Sequence, residues 1–139
     1  MSTASTADAA TDPCAVLGRL IDAIQAGDFD AAESAYDPDV VIWHNNDRQT
    51  QTRAENLATL RQFVSTTSER RYTDVRRRRI DGGAAGEGVV QQHVLVATLH
   101  SGRVIELAAC LVCDVIDGRI TRLEEYFDAA ALRPRAGIA

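Results

Sequence analysis

The stretch Arg103–Phe127, RVIELAACLVCDVIDGRITRLEEYF, decides the fold. It reads as two strands joined by Asp117-Gly118, a dipeptide that accepts the positive φ angles of a tight hairpin turn. Successive side chains on a strand point to opposite faces. In the first strand one face is Ile105, Leu107, Ala109, Leu111, Cys113 and Val115, all apolar. The other face, Val104, Glu106, Ala108, Cys110, Val112, Asp114 and Ile116, is mixed. In the second strand Leu123 and Phe127 form the apolar face, with Glu125 between them. A carboxylate bracketed by core residues is costly unless it is paired, neutralised or facing a cavity. Glu125 is therefore the first candidate functional residue.

Working back from the hairpin, Asp81-Gly82-Gly83 and Ser101-Gly102 supply turns between strands over Arg70–Ile80 and Gly88–Leu99. The first half of the chain is helical. Asp12-Pro13 reads as a cap followed by proline at the first helical position, and Val16, Leu17, Leu20, Ile21 and Ile24 recur at helical spacing until Gly27. Asp28 opens a short second helix carrying Phe29, Ala32 and Tyr36, which Asp37-Pro38 stops. Val40–His44 has the β-branched and aromatic content of a strand. After a polar loop, Asn45–Gln51, Thr52-Arg53-Ala54-Glu55 has capping-box form and opens a third helix with Leu57, Leu60, Phe63 and Val64 inward. Helices first and sheet second predict an α+β domain, with helices packed on one face of a curved antiparallel sheet. The domain is expected over residues 12–133, between a flexible tail at 1–11 and a short tail at 134–139.

A chain of 139 residues suits one domain that buries roughly 70% of its unfolded surface. The net charge of −5 disfavours general nucleic-acid binding. No apolar run approaches the ~20 residues needed to span a bilayer, and residues 1–11 lack the basic start and apolar stretch of a signal peptide. A cytoplasmic location without membrane attachment is expected. Three cysteines exclude a complete disulfide framework. Cys110 and Cys113 form a C-x-x-C, but positions three apart on a strand face opposite sides, so both read as packing residues. The arginine runs Arg70-Arg71 and Arg76–Arg79 are likewise split between two strand faces and read as a solvated or interface strand.

The order of elements, ending in Asp117-Gly118-Arg119-Ile120-Thr121-Arg122-Leu123-Glu124-Glu125-Tyr126-Phe127-Asp128, resembles the NTF2-like superfamily. The resemblance is to its SnoaL-like and limonene-epoxide-hydrolase-like members in particular. Those share a final strand of the form D/E-G-K/R-I-x-x-W-x-D/E-Y-F-D, and the likeness spans about residues 13–132. It implies an α+β cone in which a strongly bent sheet and three helices enclose a deep apolar pocket. Ketosteroid isomerases, polyketide cyclases, epoxide hydrolases and non-catalytic binding proteins share that fold, so fold alone does not fix function. By position, Glu125 matches the water-activating aspartate of the epoxide hydrolases. His44 matches the base of the isomerases and an asparagine of the hydrolases. Ile42 stands in place of a hydrolase tyrosine, Gln91 and His93 in place of an arginine and an acid, and Leu111 in place of a cyclase aspartate.

Three residues emerge as catalytic candidates: Glu125, His44 and His93. A carboxylate in an apolar pocket has a raised pKa that suits proton transfer; the alternative for Glu125 is an ion pair with Arg61 or another arginine. Imidazoles titrate near neutrality; the alternative for His44 and His93 is a hydrogen-bonded structural role. Gln91, Ile42, Leu95, Leu107, Ala109, Leu123 and Phe127 are expected to contact the substrate. Trp43 should face away from His44, and Asn45 and Asn46 should shape the pocket mouth. Two histidines and a carboxylate can hold a metal, but no H-x-H or H-x-x-x-H spacing supports one, and neither metal nor cofactor is expected. The resulting expectation is an acid/base enzyme of isomerase, cyclase or epoxide-hydrolase type acting on a small apolar molecule. The alternative is a non-catalytic ligand-binding domain. The apolar content of the outward face of Val104–Ile116, with Val94 and Val96, adds the expectation of a homodimer through the sheet.

Overall fold

The computed structural model describes residues 10–81 and 86–132. Asp12 accepts the Ala15 N–H at 3.0 Å and opens α1 (Pro13–Ala26), which ends where Gly27 turns left-handed at φ 70°. Asp28 caps α2 (Phe29–Ala35) in the same way. Thr52 and Glu55 exchange hydrogen bonds of 3.0 and 3.2 Å in a reciprocal capping box at the head of α3 (Arg53–Thr66). The strands are β1 (Tyr36–His44), β2 (Thr50–Gln51), β3 (Thr67–Asp81), β4 (Glu87–Leu99), β5 (Val104–Ile116) and β6 (Arg119–Phe127), followed by a 3-10 turn, Ala129–Leu132. No described helix is long and apolar enough to cross a membrane.

The six strands form one sheet in the order β2-β1-β6-β5-β4-β3. The β3–β4–β5–β6 meander is antiparallel, as expected, but β1 runs parallel to β6, so the sheet is mixed. A hairpin announces itself by its turn, whereas a parallel ladder between distant segments leaves no such mark. A second correction concerns Tyr36, which begins β1 instead of ending the second helix. The residue before a proline disfavours the helical region, so Asp37 has to be extended. Pro38 then falls in the irregularity between Tyr36 and Val41, where the ladder is already interrupted. Further bulges at Thr73/Arg76 and Asp114/Val115 bend the strands and give the sheet its curvature.

The inner face of this curve is covered by α1, which buries Val16, Leu17, Leu20, Ile21 and Ile24 against Ile42, Val89, Leu111, Cys113, Val115, Ile120 and Leu123. Ile42 and Ile120 are fully buried, each stabilising the fold by about 1.5–3 kcal/mol. The β5–β6 turn has φ 51° at Asp117 and 76° at Gly118, the pairing of two positive angles that a two-residue hairpin favours. A Cβ on Gly118 would lie 3.2 Å from the Ala10 carbonyl, which also accepts a 2.7 Å hydrogen bond from Arg19. Ala10 and Thr11, expected within a flexible tail, thus pack on the hairpin turn. The rest of the expected tails, and Gly82-Gly83, lie outside the described residues.

The arginine-rich strand is resolved into separate duties. Arg70 donates to the Ile24 and Gln25 carbonyls at the end of α1, both at 3.1 Å, and to Thr67 Oγ1 at 2.7 Å. Arg71 pairs with Glu69, Arg76 with Asp74, and Arg79 with Asp12 and Glu87. Arg77 turns inward beneath α1, where a Cβ on Gly18 would stand 3.0 Å from its guanidinium. Cys113 is buried and Cys110 lies on the outer face; all three cysteines are free.

Gly88 tests the closeness of β4 to its neighbours. An added Cβ would meet the Cys113 carbonyl at 2.7 Å and Ile80 at 3.0 Å. Because the nearer obstacle is backbone, Gly88→Ala is expected to lower stability by about 1–3 kcal/mol. Urea unfolding measures this, and an unchanged midpoint would contradict it.

Candidate active site

Register across the sheet places Arg77, Gln91, Leu111, Glu125 and His44 in one transverse row on the inner face. Above one end of that row, α1, α3 and the sheet enclose a cavity of about 320 Å³. Its apolar wall includes Leu20, Ile21, Ile24, Leu60, Phe63, Leu95, Leu107, Leu111, Leu123 and Phe127. Its polar lining is His44, Glu125, Tyr36, Tyr72, Gln51, Asn56, Thr59, Asn46 and Asp47.

The parallel β1–β6 ladder sets His44 opposite Glu125, and His44 Nε2 lies 3.4 Å from Glu125 Oε1. Asn45 fixes this register. Its backbone N–H donates to the Glu125 carbonyl at 3.0 Å. Its side-chain Nδ2 donates to the Phe127 carbonyl and its Oδ1 accepts the Phe127 N–H, both at 3.0 Å. The side chain thereby continues the ladder one step past the end of the strand. Asn46 lines the cavity mouth, while Trp43 points to the outer face and packs on Tyr126 with ring centroids 5.3 Å apart.

Burial among leucines pushes the Glu125 carboxyl up to about 7. A quarter of its side-chain surface remains accessible, because the carboxyl faces the cavity even though protein surrounds it. The His44 imidazole is shifted the other way: burial lowers its pKa, and the nearby Asp47 charge opposes the shift. Burial thus raises the acid and lowers the neighbouring base, and the ordinary order of their proton affinities is lost. Among the described residues, Glu125 has one ion-pair partner, His44; Arg61 instead stacks over Phe29 at 5.0 Å.

His93 and Gln91 are placed differently from the expectation. Both are buried and neither lines the cavity. Arg77 Nε donates to Gln91 Oε1 at 2.6 Å, which leaves the Gln91 amide nitrogen to donate to His93 Nδ1 at 2.9 Å. His93 therefore carries its proton on Nε2. Burial and the Arg77 charge drive its pKa down to about 4, so it stays neutral near pH 7. Its ring packs edge-on against Tyr72 at 4.8 Å, and the phenol, not the imidazole, reaches the cavity. Leu111 lies between this buried cluster and Glu125. Ile42 and Ala109 are buried in the layer behind the cavity wall, whereas Leu95, Leu107, Leu123 and Phe127 line it.

Tyr36, Tyr72 and Asn56 are the site residues that sequence reasoning missed. For Asn56 a signal existed: it shares a helix face with Leu60 and Phe63 at i, i+4 and i+7, a polar side chain in an inward row. Among the described residues no group of three or more His, Cys, Asp and Glu side chains is placed to hold a metal ion.

A curved mixed sheet closed by helices over an apolar cavity, with a buried carboxyl on its last strand, defines the cone-shaped α+β class. The sequence profile of the SnoaL-like domain matches residues 17–123, and the chain belongs to that family, within the NTF2-like superfamily. Among curated proteins no sequence match is found. A candidate polyketide cyclase from Xanthomonas campestris pv. campestris superposes with a TM-score of 0.74 at 22% identity, covering 92% of this chain and 96% of that one. IdmH, a candidate polyketide cyclase from Streptomyces antibioticus, gives 0.72 at 20% identity over 86% and 94%. An LEH-like epoxide hydrolase from M. tuberculosis gives 0.68 at 22% identity over 87% and 86%. At these identities the likeness establishes the fold.

The Glu125 shift carries a stability consequence. A carboxyl whose folded pKa is raised from 4.5 to about 7 holds its proton more tightly in the folded state. Stability is then highest below the unfolded value and falls through this window, by on the order of 3 kcal/mol. Glu125→Gln removes the ionisable group. It is expected to match wild type in thermal unfolding near pH 5 and to exceed it by several degrees at pH 8. Equal melting temperatures at both pH values would contradict the burial argument.

Proposed function

We propose that this SnoaL-like domain is a cofactor-independent acid/base enzyme that moves a proton next to a carbonyl in a small, mostly apolar molecule. The observation that carries the reading is the Glu125–His44 contact of 3.4 Å inside the cavity, with no arginine on the carboxylate among the described residues. A base with a pKa near 7 is half ionised at neutral pH and still basic enough to draw on an acidified C–H. Ionised Glu125 takes that proton, and the electron pair moves onto the carbonyl oxygen to form an enolate. The Tyr72 hydroxyl, which has no hydrogen-bond partner among the described residues, is the available donor to that oxygen. Burial raises the phenol pKa and the Glu125 charge raises it further, so it remains protonated. Glu125 then returns the proton to another carbon, with His44 as the neighbouring exchange partner.

Water addition to an epoxide uses the same base. It is less well supported, because Ile42 is apolar and Gln91 and His93 are tied to Arg77 behind the wall. Proton–deuterium exchange at the α-carbon of 2-tetralone in D2O, followed by NMR, separates the two reactions without a known substrate, with hydration of styrene oxide as the counterpart. Glu125→Gln is expected to slow the exchange by about 100-fold or more. In wild type the rate should climb with pH through about 7, as Glu125 ionises. Binding of 2-tetralone with no exchange would leave the cavity as a non-catalytic ligand site.

The outer face of the sheet supports a second role. Val41, Val104, Ile116 and Tyr126 are exposed there, and such apolar faces pair. We propose a homodimer through this face. Light scattering at micromolar concentration is expected to give twice the chain mass, and Tyr126→Arg to give one; a monomeric wild type refutes it.

A further inference from the structure

The cavity has a second polar end, distinct from the Glu125–His44 pair. Asn56, 4% exposed, accepts the Tyr36 hydroxyl on Oδ1 at 2.9 Å and donates from Nδ2 to Gln51 Oε1 at 3.0 Å. Gln51 Nε2 donates to Thr59 Oγ1 at 2.9 Å, and Thr59 donates to the Glu55 carbonyl at 3.2 Å. A backbone carbonyl can only accept, so that last bond fixes the sense of every other. Thr59 has spent its proton and must accept from Gln51. Gln51 therefore turns its oxygen toward Asn56, and Asn56 turns its oxygen toward Tyr36. The Tyr36 proton is committed to Asn56, so Tyr36 offers the cavity an oxygen and not a donor. Each of the two amide nitrogens keeps one N–H beyond the relay. Tyr36, Gln51, Asn56 and Thr59 all line the cavity.

We propose that Asn56 and Gln51 form an acceptor-reading subsite, which takes a carbonyl oxygen of the ligand at the α3 end of the cavity. It rests on reading the cavity as a substrate pocket, and it narrows the substrate class. The molecule is apolar through its middle, reacts at Glu125, and carries a second oxygen for the amides. A helix-borne amide with both neighbours fixed cannot rotate to offer its oxygen instead, so the subsite discriminates against an end that only donates. A ligand lacking the oxygen leaves the spare N–H of buried Asn56 unpaired against the apolar wall, whereas Gln51 stands nearer the solvent, so the selectivity falls mainly on Asn56.

Two isosteric probes test this: 2-acetylnaphthalene, which carries the carbonyl, and 2-isopropenylnaphthalene, which replaces it with a methylene. Affinities are measured by calorimetry on wild type, Asn56→Leu, Thr59→Val and Tyr72→Phe. Asn56→Leu is expected to weaken the ketone about tenfold and leave the alkene unchanged or tighter. Thr59→Val, which removes the acceptor that holds the Gln51 amide in place, should shift the same ratio by a few fold; if Asn56→Leu does not fold, this variant decides. Equal losses for both probes, or no change in the ratio, overturn the subsite. So does a ketone preference that survives Asn56→Leu and vanishes in Tyr72→Phe, an outcome that leaves the reaction at Glu125 standing. Failure of wild type to bind either probe removes the subsite together with the substrate-pocket reading beneath it.

Discussion

The parallel ladder between β1 and β6 is the constraint on which the site depends. It joins segments that are more than seventy residues apart, and it sets His44 opposite Glu125. Neither residue has much chemistry alone: a carboxyl among leucines tends to stay protonated, and an imidazole at a strand end tends to be solvated. Brought together within 3.4 Å at the cavity wall, they place an acid and a base at one point of the site. Asn45 is the local device that holds the ladder at its end, with its amide standing in for one more residue of backbone. The bulge at Tyr36/Val41 has the complementary effect, freeing the start of β1 to turn Tyr36 toward α3.

The inner face of the sheet also keeps its polar groups apart. Arg77, Gln91 and His93 satisfy one another beneath α1, and Leu111 separates them from Glu125. That separation has an electrostatic purpose. A guanidinium within a few ångströms of Glu125 would stabilise the carboxylate and pull its pKa back toward the ordinary range. Leucine in that place leaves the carboxyl desolvated and uncompensated. The cluster behind the wall supports Tyr72 by packing against its ring, without lending it charge.

The legible parts of the chain were those governed by neighbours in sequence. Helix starts at Asp12, Asp28 and Thr52 follow from local capping, the Asp117-Gly118 turn from local φ preferences, and the inward position of Glu125 from strand alternation. On the strands, the residues that escaped are those for which alternation breaks. Tyr72 and Arg77 both face inward, yet they lie an odd number of residues apart, because the bulge at Asp74 reverses the parity of β3. No alternation count across that strand places both correctly. His93 was on the right face, but Gln91 of its own strand, held in turn by Arg77 of β3, claims its Nδ1, which becomes visible only once β3 and β4 are paired. The Asn56 relay likewise depends on Tyr36 of β1 and Gln51 of β2 meeting α3 across the fold.

Arg70 links the two halves of the chain in time as well as in space. Its guanidinium closes the carbonyls at the end of α1, and Gln25 in return accepts the Tyr72 N–H at 2.8 Å. An isolated helix of this length is marginal in water, and its last turn is completed by a side chain about forty-five residues downstream. The Gly27 cap ends α1 locally, but the bonds that Arg70 adds to the Ile24 and Gln25 carbonyls form only once β3 has docked. The first long helix of the chain is thus tied to a strand far along the sequence, and the domain is expected to fold as a cooperative unit governed by distant contacts.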